Sequence, residues 1–424
     1  MSQEKESPPP PHARRTFLRN AGATVGYAAL MGLVPPGVRQ AAWAAGSDAP
    51  EKKEVKVGFI PLTDCASVVM ASVLEIDKKY GIKITPTKEA SWASVRDKLV
   101  NGDIDASHVL YGLIYGLHLG VSGPKKDMAL LMTLNHNGQA ITLSKKLADA
   151  GVKDGQALAA MIKKDKREYT FAHTFPTGTH AMWTYYWLAA NGIHPFKDVK
   201  TITVPPPQMV ANMRVGNMDG YCVGEPWGHR AIADGIGFTA ITTQDIWKDH
   251  PEKVLGCTAE FAKNNPNTVR AMTAAIIDAG RWIDASLSNR QKMAEAVAAT
   301  AYVNTSVDVI NQRILGRYTN GLGKTWDDPN HMKFYNDGYA SYPWLSDGMW
   351  FLTQHRRWGL LKTDPDYLAV AKQINRVDIY REAATMAKAS VPKELMRTSK
   401  LMDGVVWDGK DPKKYALSFP LKVA

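Results

Sequence analysis

Two segments of the chain repeat one local pattern, and this repeat limits the fold more than any other feature of the sequence. KLVNGDIDA (98–106) is similar to NMRVGNMDG (212–220). In both, a helix-like stretch ends at a glycine, where the positive φ of a helix C-cap costs little, and an aspartate then precedes a strand-like run. The repeat predicts two similar α/β lobes that share this helix–glycine–aspartate–strand joint.

The remaining pattern agrees with two α/β lobes. Short apolar runs rich in β-branched residues alternate with helix-like segments; the predicted strands are 55–62, 83–88, 104–110, 128–134, 170–175, 201–205, 218–224 and 238–243. This alternation predicts parallel sheets covered by helices on both faces. Two lobes of about 100 residues each suggest a ligand cleft and a hinge between them.

The C-terminal third differs in character. From Asn265 the sequence is helix-like, and the final part is rich in aromatic residues, among them Trp326, Trp344, Trp350 and Trp358. Such aromatics more often pack across a lobe surface than line a ligand pocket. The predicted division is a signal peptide at 1–44, a linker at 45–54, a discontinuous lobe 1 at 55–140 and 250–340, lobe 2 at 141–249, and a C-terminal extension at 341–424 that packs on the lobes.

The first residues have the features of an export signal. Arg14 and Arg15 precede Phe-Leu, a mildly apolar and uncharged segment follows at 21–34, and Ala42-Trp-Ala44 offers small residues for cleavage. The apolar segment is too short for a permanent membrane helix. Paired arginines indicate the Tat route and a soluble periplasmic protein.

Charge and cysteine content exclude several classes of protein. The formal charge is +11, and residues 1–44 carry five basic and two acidic side chains, so the remainder is +8. This charge suits anions or acidic surfaces, but no nucleic-acid-binding motif accompanies it. Cys65, Cys222 and Cys257 are widely spaced, which argues against a disulfide framework or a zinc site.

The sequence lacks the usual catalytic signatures. G-x-S-x-G, HExxH and Walker A patterns are absent. The loops instead offer hydrogen-bond donors with few acceptors among them; these are Trp92, Asn135, Asn137, Gln139, Thr177, Thr179, His180 and Lys253. The loop 176–180, which opens a helix, adds free backbone N–H groups. A cleft lined in this way suits a small oxyanion, with one lysine balancing one negative charge.

Longer motifs carry a resemblance to a known family. They are GFIPLTDCA (58–66), ASW (90–92), RDKLVNGDIDASH (96–108), NGQAITL (137–143), TFPTGTHAMWTYYWLAANGI (174–193), VPPPQMVANMRVGNMDGYCVGEPW (204–227), WKDHPEK (247–253) and SYPWLSDGMWFLTQHRRWG (341–359). Together they resemble the nitrate-binding periplasmic component of ATP-dependent nitrate/nitrite importers and its bicarbonate-binding relative. The resemblance covers nearly all of the chain after the signal. It implies a type II periplasmic-binding-protein fold, with two α/β lobes around a ligand cleft.

The resemblance also implies a ligand site and partners. The family's anion-binding positions correspond here to Trp92, Gln139, His180 and Lys253, with Pro206 and Val223 close by. The implied function is capture of nitrate or nitrite and delivery to a permease of the inner membrane. The implied protein is a monomer that binds no nucleic acid and needs no cofactor or metal.

Alternatives within and outside this class remain open. The bicarbonate relatives have an acidic residue near the lysine position, used with calcium, so Lys253 favours nitrate or nitrite. A sulfonate is another possible ligand. An enzyme related to thiamine-pyrimidine synthases would need a reactive group that the donor inventory lacks, and a cytoplasmic nitrate sensor would need no export signal.

Overall fold

Two five-stranded sheets organise the described part of the chain. The computed structural model describes residues 49–165 and 167–423. Sheet 1 contains β1 (Glu54–Phe59), β2 (Lys83–Lys88), β3 (Ala106–Leu110), β4 (Met128–Thr133) and β10 (Lys253–Thr258). Sheet 2 contains β5 (Gln139–Ser144), β6 (Thr170–His173), β7 (Lys200–Thr203), β8 (Gly220–Gly224) and β9 (Gly237–Thr242).

The prediction of purely parallel sheets is wrong. The strand orders are β2-β1-β3-β10-β4 and β7-β6-β8-β5-β9. In sheet 1, β10 runs antiparallel to β3 and β4, and in sheet 2, β5 runs antiparallel to β8 and β9. The chain enters sheet 2 through β5 and returns to sheet 1 through β10, so each sheet contains a strand whose neighbours are distant in sequence. Local periodicity cannot reveal such pairing.

Helices pack against these sheets. Those before β10 are α1 (Ala66–Val73), α2 (Trp92–Asn101), α3 (Tyr111–His118), α4 (Lys145–Asp149), α5 (Gly155–Lys164), α6 (Thr179–Ala190), α7 (Met209–Arg214), α8 (Trp227–Ala233) and α9 (Thr243–Ile246). The later ones are α10 (Ala259–Asn264), α11 (Pro266–Asp284), α12 (Leu287–Ala298), α13 (Val307–Ile314), α14 (Leu345–Arg357), α15 (Tyr367–Ile374), α16 (Val377–Met386) and α17 (Pro412–Ser418). Four 3-10 turns lie at Thr63–Cys65, Ile76–Tyr80, Pro206–Gln208 and Asn336–Gly338.

Two short hairpins complete the secondary structure of the described residues. The repeated helix–glycine–aspartate–strand joint has the positive glycine φ that the sequence predicts. The hairpins pair β11 (Arg317–Thr319) with β12 (Thr325–Asp327) and β13 (Ser399–Lys400) with β14 (Val406–Trp407). Helix α2 ends at Gly102 with φ 78°, and α7 is followed by Gly216 with φ 83°. Both glycines adopt the left-handed conformation that other residues enter only at a cost.

The aromatic C-terminal region contacts one helix that packs with sheet 1 and another that packs with sheet 2. In α14, Phe351 stacks on Tyr111 of α3 with ring centroids 4.8 Å apart. The neighbouring Trp350 lies 4.9 Å from Trp183 of α6. Helix α14 therefore packs on a helix that follows a strand of sheet 1 and on one that follows a strand of sheet 2. Within residues 49–165 and 167–423, no helix is both long and apolar enough to cross a membrane.

Candidate functional site

A buried cluster of charged residues lies where the ends of the two sheets meet. At its centre is Lys253, the first residue of β10, whose side chain has no solvent exposure. Its Nζ donates to Asp64 Oδ2 at 2.7 Å and to Glu252 Oε1, and lies 5.6 Å from the ring centre of Trp92. Burial alone would lower the pKa of Lys253, but the two carboxylates outweigh it and raise the pKa, so the ammonium stays charged.

Asp64 and His108 form the part of the cluster that belongs to sheet 1. Asp64 lies in the 3-10 turn after β1, and its Oδ1 is 2.5 Å from Nε2 of His108 in β3. Because Lys253 pairs with Leu110 and His108 is two residues earlier in the same strand, His108 and Lys253 point to the same face of the sheet. Burial alone would raise the pKa of Asp64, but Lys253 and His108 lower it below its usual value.

His180 reaches the cluster from the start of α6. Its Nδ1 lies 2.5 Å from the Thr174 hydroxyl, and its Nε2 lies 3.3 Å from Glu252 Oε1. Burial, together with the nearby Lys253 ammonium, lowers the pKa of His180 to about 4. A neutral ring explains both contacts, since Nδ1 then accepts from the Thr174 hydroxyl and Nε2–H donates to Glu252.

Glu252 belongs to this cluster, although the sequence did not indicate it as a site residue. Besides Lys253 and His180, its carboxylate accepts from Asn135 Nδ2 at 2.7 Å. The prediction of donors with few acceptors is therefore wrong, because Asp64 and Glu252 bring two buried carboxylates to the ammonium of Lys253. Glu252 is adjacent to Lys253 in the HPEK segment, and Asp64 lies in GFIPLTDCA, so both were within motifs that carried the resemblance.

Gln139 faces the same cluster from sheet 2. It is the first residue of β5 and lies directly opposite Gly224 of β8, so the two residues share one face of the sheet. A Cβ placed on Gly224 would lie 2.8 Å from Asp64 Oδ2 and 3.1 Å from Glu252 Oε1. The face that carries Gln139 is therefore turned toward the carboxylates, and Gly224 permits this close approach.

Several polar groups in this region are buried without a partner among the described residues; Thr63 Oγ1 and His108 Nδ1 are among them, as are two donors named from the sequence. Trp92 Nε1 and the side-chain amide of Gln139 have no hydrogen-bond partner within the described part of the chain, although both side chains are about 1% exposed. Buried polar groups are nearly always satisfied, so unpaired donors on residues around a buried ammonium support a ligand site.

The other predicted site residues have different surroundings. Val223 lies beside Gly224 in β8 and pairs with Ala140, and Pro206 is buried in the 3-10 turn that follows β7. Asn137 donates instead to the carbonyl of Asn330. The hydroxyl of Thr179 donates to the backbone carbonyl of Glu252 at 3.1 Å. These threonine and asparagine donors are thus used within the protein.

Direct hydrogen bonds close the boundary between the two sheets. The backbone N–H of Thr63 donates to Glu225 O at 2.7 Å, and Trp227 Nε1 donates to Pro61 O at 2.8 Å. The hydroxyls of Ser122 and Thr177 are also 2.5 Å apart. Each bond joins the part of the chain around sheet 1 to the part around sheet 2. The cleft between the two sheets is therefore closed.

A surface cavity lies elsewhere, on sheet 2. It has a volume of 890 Å³ and is lined in part by Ser144, Arg167 and Asp219. Ser144 ends β5 and Asp219 precedes β8, so this cavity is at the opposite end of sheet 2 from Gln139 and Gly224. Its principal charges are already paired, for example Arg167 with Asp219 at 2.7 Å.

Known proteins have sequences similar to this one. Residues 48–298 match the model of the NMT1-like family. The nitrate/nitrite binding protein NrtA of Nostoc is 36% identical over 97% of this chain and 99% of that protein. The bicarbonate-binding protein CmpA of Synechococcus elongatus is 29% identical over 98% of this chain and 99% of that protein.

A solved structure gives the same result in three dimensions. The crystal structure of the periplasmic nitrate-binding protein NrtA from Synechocystis superimposes with a TM-score of 0.84 at 37% identity. The match covers 88% of this chain and 100% of that chain. Similarity at this level extends through both sheets and the C-terminal region, so the whole two-sheet architecture is shared.

Proposed function

This chain belongs to the NMT1-like family, and on that premise we propose that it is the solute-binding component of an ATP-dependent importer for nitrate or nitrite. It captures the anion in the cleft between the two sheets and delivers it to a permease in the inner membrane. Closure of the cleft is the signal that the permease reads, and no chemical bond changes. The protein acts as a monomer, without a cofactor and without nucleic acid.

One observation supports this function above the others: a fully buried ammonium beside unpaired donors. Lys253 supplies the positive charge, and Trp92 Nε1 and the Gln139 amide are buried without a partner nearby. An ammonium, an indole N–H and an amide are donors that suit a planar oxyanion. The proposed ligand-binding residues are Trp92, Gln139, His180, Lys253, Pro206 and Val223.

Lys253 also favours nitrate or nitrite over a calcium-assisted anion such as bicarbonate. Its Nζ lies between the carboxylates of Asp64 and Glu252, where it offsets one of their two negative charges. A divalent cation brought to these carboxylates would be repelled by the ammonium. Bicarbonate remains the second candidate because of the similarity to CmpA.

A calorimetric titration of the purified protein with four ligand solutions tests the proposal. The solutions are nitrate, nitrite, bicarbonate, and bicarbonate with calcium. We expect saturable heat with nitrate or nitrite in the absence of calcium. If only the solution of bicarbonate with calcium gave saturable heat, the nitrate or nitrite assignment would be contradicted and bicarbonate would be favoured. Saturation by a sulfonate, tested in parallel, would point to that class of ligand.

The domain division and the route of export are also proposals. The strands of sheet 1 fall within 55–140 and 250–340 apart from the first residue of β1, while β5 begins at Gln139 and the rest of sheet 2 lies within 141–249. This distribution supports the predicted division, with 341–424 as an extension.

The twin-arginine signal at 1–44 lies outside the described residues. Replacing Arg14 and Arg15 by lysine should leave the precursor in the cytoplasm, whereas normal export of this variant would argue against the Tat route.

A further inference from the structure

The carboxylate of Glu252 already contacts two of the donors that the proposed anion needs, Lys253 Nζ and His180 Nε2. We propose that Glu252 is a specificity-determining residue of this site, acting as an internal substitute for the ligand, and that exchange of Glu252 for a bound anion takes up one proton. This inference rests on the proposed function, since it concerns the same anion and the same donors.

The contacts of Glu252 are those expected for a bound oxyanion. Its Oε1 accepts from Lys253 Nζ and lies 3.3 Å from His180 Nε2, while Oε2 accepts from Asn135 Nδ2 at 2.7 Å. A carboxylate is planar, carries one negative charge and accepts through its oxygens, as nitrate and nitrite do. An anion that contacts both Lys253 and His180 must therefore displace or share the position of Oε1.

The charges of the cluster make this exchange unfavourable without a proton. Lys253 carries one positive charge, Asp64 and Glu252 carry two negative charges, and His180 is neutral in the arrangement described above. Adding an anion would place three negative charges around one ammonium in a site with no solvent exposure. Burial of such unbalanced charge is costly. A proton taken from solvent onto the His180–Glu252 pair offsets the charge of the incoming anion.

The other titratable groups around the pair are less suited to accept this proton. They are Asp64 and His108 from sheet 1, Cys222, Glu225 and His173 from sheet 2, and His250 from the segment before β10. Burial raises the pKa of Cys222 and lowers those of His173 and His250 to about 4. Lys253 and His108 hold the pKa of Asp64 below its usual value, and His108 contacts Asp64 Oδ1. Burial raises the pKa of Glu225, whose carboxylate lies 3.1 Å from Arg313. Within the described residues Glu225 makes no hydrogen bond to Lys253 or His180, so an incoming anion does not replace one of its partners.

The His180–Glu252 pair is different because the anion changes its surroundings. Once Glu252 loses the Lys253 ammonium to the ligand, its carboxylate no longer has a cation in contact. His180 then faces two anions instead of one. Both changes favour binding of a proton, and since the two groups are in contact the proton belongs to the pair rather than to one atom.

Calorimetry on the wild-type protein tests the inference directly. Nitrate is titrated near pH 7 in bis-Tris and in Tris, which differ in ionisation enthalpy and contain no oxyanion, and the heat difference gives the number of protons taken up. We expect about one proton, and an affinity that falls roughly tenfold for each unit of pH above neutrality. Nitrate binding with the same heat in both buffers and no pH dependence overturns the inference but leaves the proposed function intact. No binding of nitrate, nitrite or any other anion overturns both.

A matched pair of variants assigns the effect to Glu252. Glu252→Gln keeps the shape and removes the charge, so proton uptake should fall toward zero and affinity at pH 8 should exceed that of the wild type. Glu260→Gln, in an exposed ion pair with Lys126, should behave as wild type. Full proton uptake in Glu252→Gln overturns the role of this residue. If that variant does not fold, the wild-type proton count alone decides.

Discussion

Lys253 shows how closely binding and stability are linked at the scale of a single residue. Its ammonium is buried against Asp64 and Glu252, so Lys253→Met leaves two carboxylates without their cation. We expect loss of nitrate binding by calorimetry and a decrease of about 3–5 kcal/mol in the free energy of unfolding by urea titration, because a broken buried ion pair leaves uncompensated charge.

The chain offers a matched control for this substitution. Lys126 pairs with Glu260 at 3.1 Å on the surface, and Lys126→Met should change the free energy of unfolding by less than about 1 kcal/mol. Retained nitrate affinity in Lys253→Met would remove Lys253 from the site. Equal destabilisation by both substitutions would argue against the buried cluster.

The residues around Lys253 also show the limit of sequence interpretation at this scale. The positions Trp92, Gln139, His180 and Lys253 could be named from motifs, but the two carboxylates could not be assigned a role. Regular strand alternation would point Glu252 and Lys253 to opposite faces. Glu252 lies just before β10 begins, and there both side chains reach the same cluster. Asp64 comes from a turn about 190 residues earlier, a separation that no local pattern spans.

At the scale of secondary structure, α14 connects the two sheets through aromatic contacts. Trp350 has no solvent exposure and packs against Trp183 of α6 and Trp247. Trp350→Ala should lower the free energy of unfolding by about 3–5 kcal/mol, since it removes a large buried side chain. Thermal or urea unfolding measures this change, and nitrate affinity should fall with it if α14 braces the closed cleft.

Trp326→Ala is the control substitution for Trp350→Ala. It lies in the short strand β12 and is partly exposed, so Trp326→Ala should have a much smaller effect on unfolding. A Trp350→Ala protein as stable as the wild type would show that the C-terminal region does not brace the two sheets. The aromatic content of this region was visible in the sequence, but its contact with both α3 and α6 depends on packing between distant segments.

The sheets illustrate what could be predicted at this scale and what could not. Local patterns located eight of the ten strands of the two sheets to within a few residues, as for β2, but β5 and β10 were not predicted as strands. They failed on strand direction, because the chain crosses from one sheet to the other just before β5 and again just before β10, and both strands run antiparallel to their neighbours. Directions of strands that exchange between sheets depend on the path of the whole chain.

For the molecule as a whole, buried neutral histidines predict how stability changes with pH. Burial lowers the pKa of His173, His180, His250 and His355 to about 4. Between pH 4 and 6.5 the unfolded chain therefore binds more protons than the folded protein, and stability falls as the pH falls through this range. Each histidine contributes a slope of up to about 1.4 kcal/mol per pH unit.

Thermal unfolding of the ligand-free protein between pH 7.5 and 5 measures this dependence. We expect Tm to decrease steadily below pH 6.5. A constant Tm over that range would mean that these histidines are not held neutral in the folded protein. The trend is opposite to that expected for nitrate affinity, which should rise as the pH falls, so the two measurements separate folding from binding.

The central claim for the whole molecule is that the closed cleft holds nitrate beside Lys253. A crystal structure of the protein grown with nitrate tests this most directly. We predict planar, three-pointed density in contact with Lys253 Nζ and within hydrogen-bond distance of Trp92 Nε1 and the Gln139 amide, with Glu252 moved away from the ammonium. Nitrate bound at the surface, with Glu252 still on Lys253 and Gln139 unpaired, would contradict it.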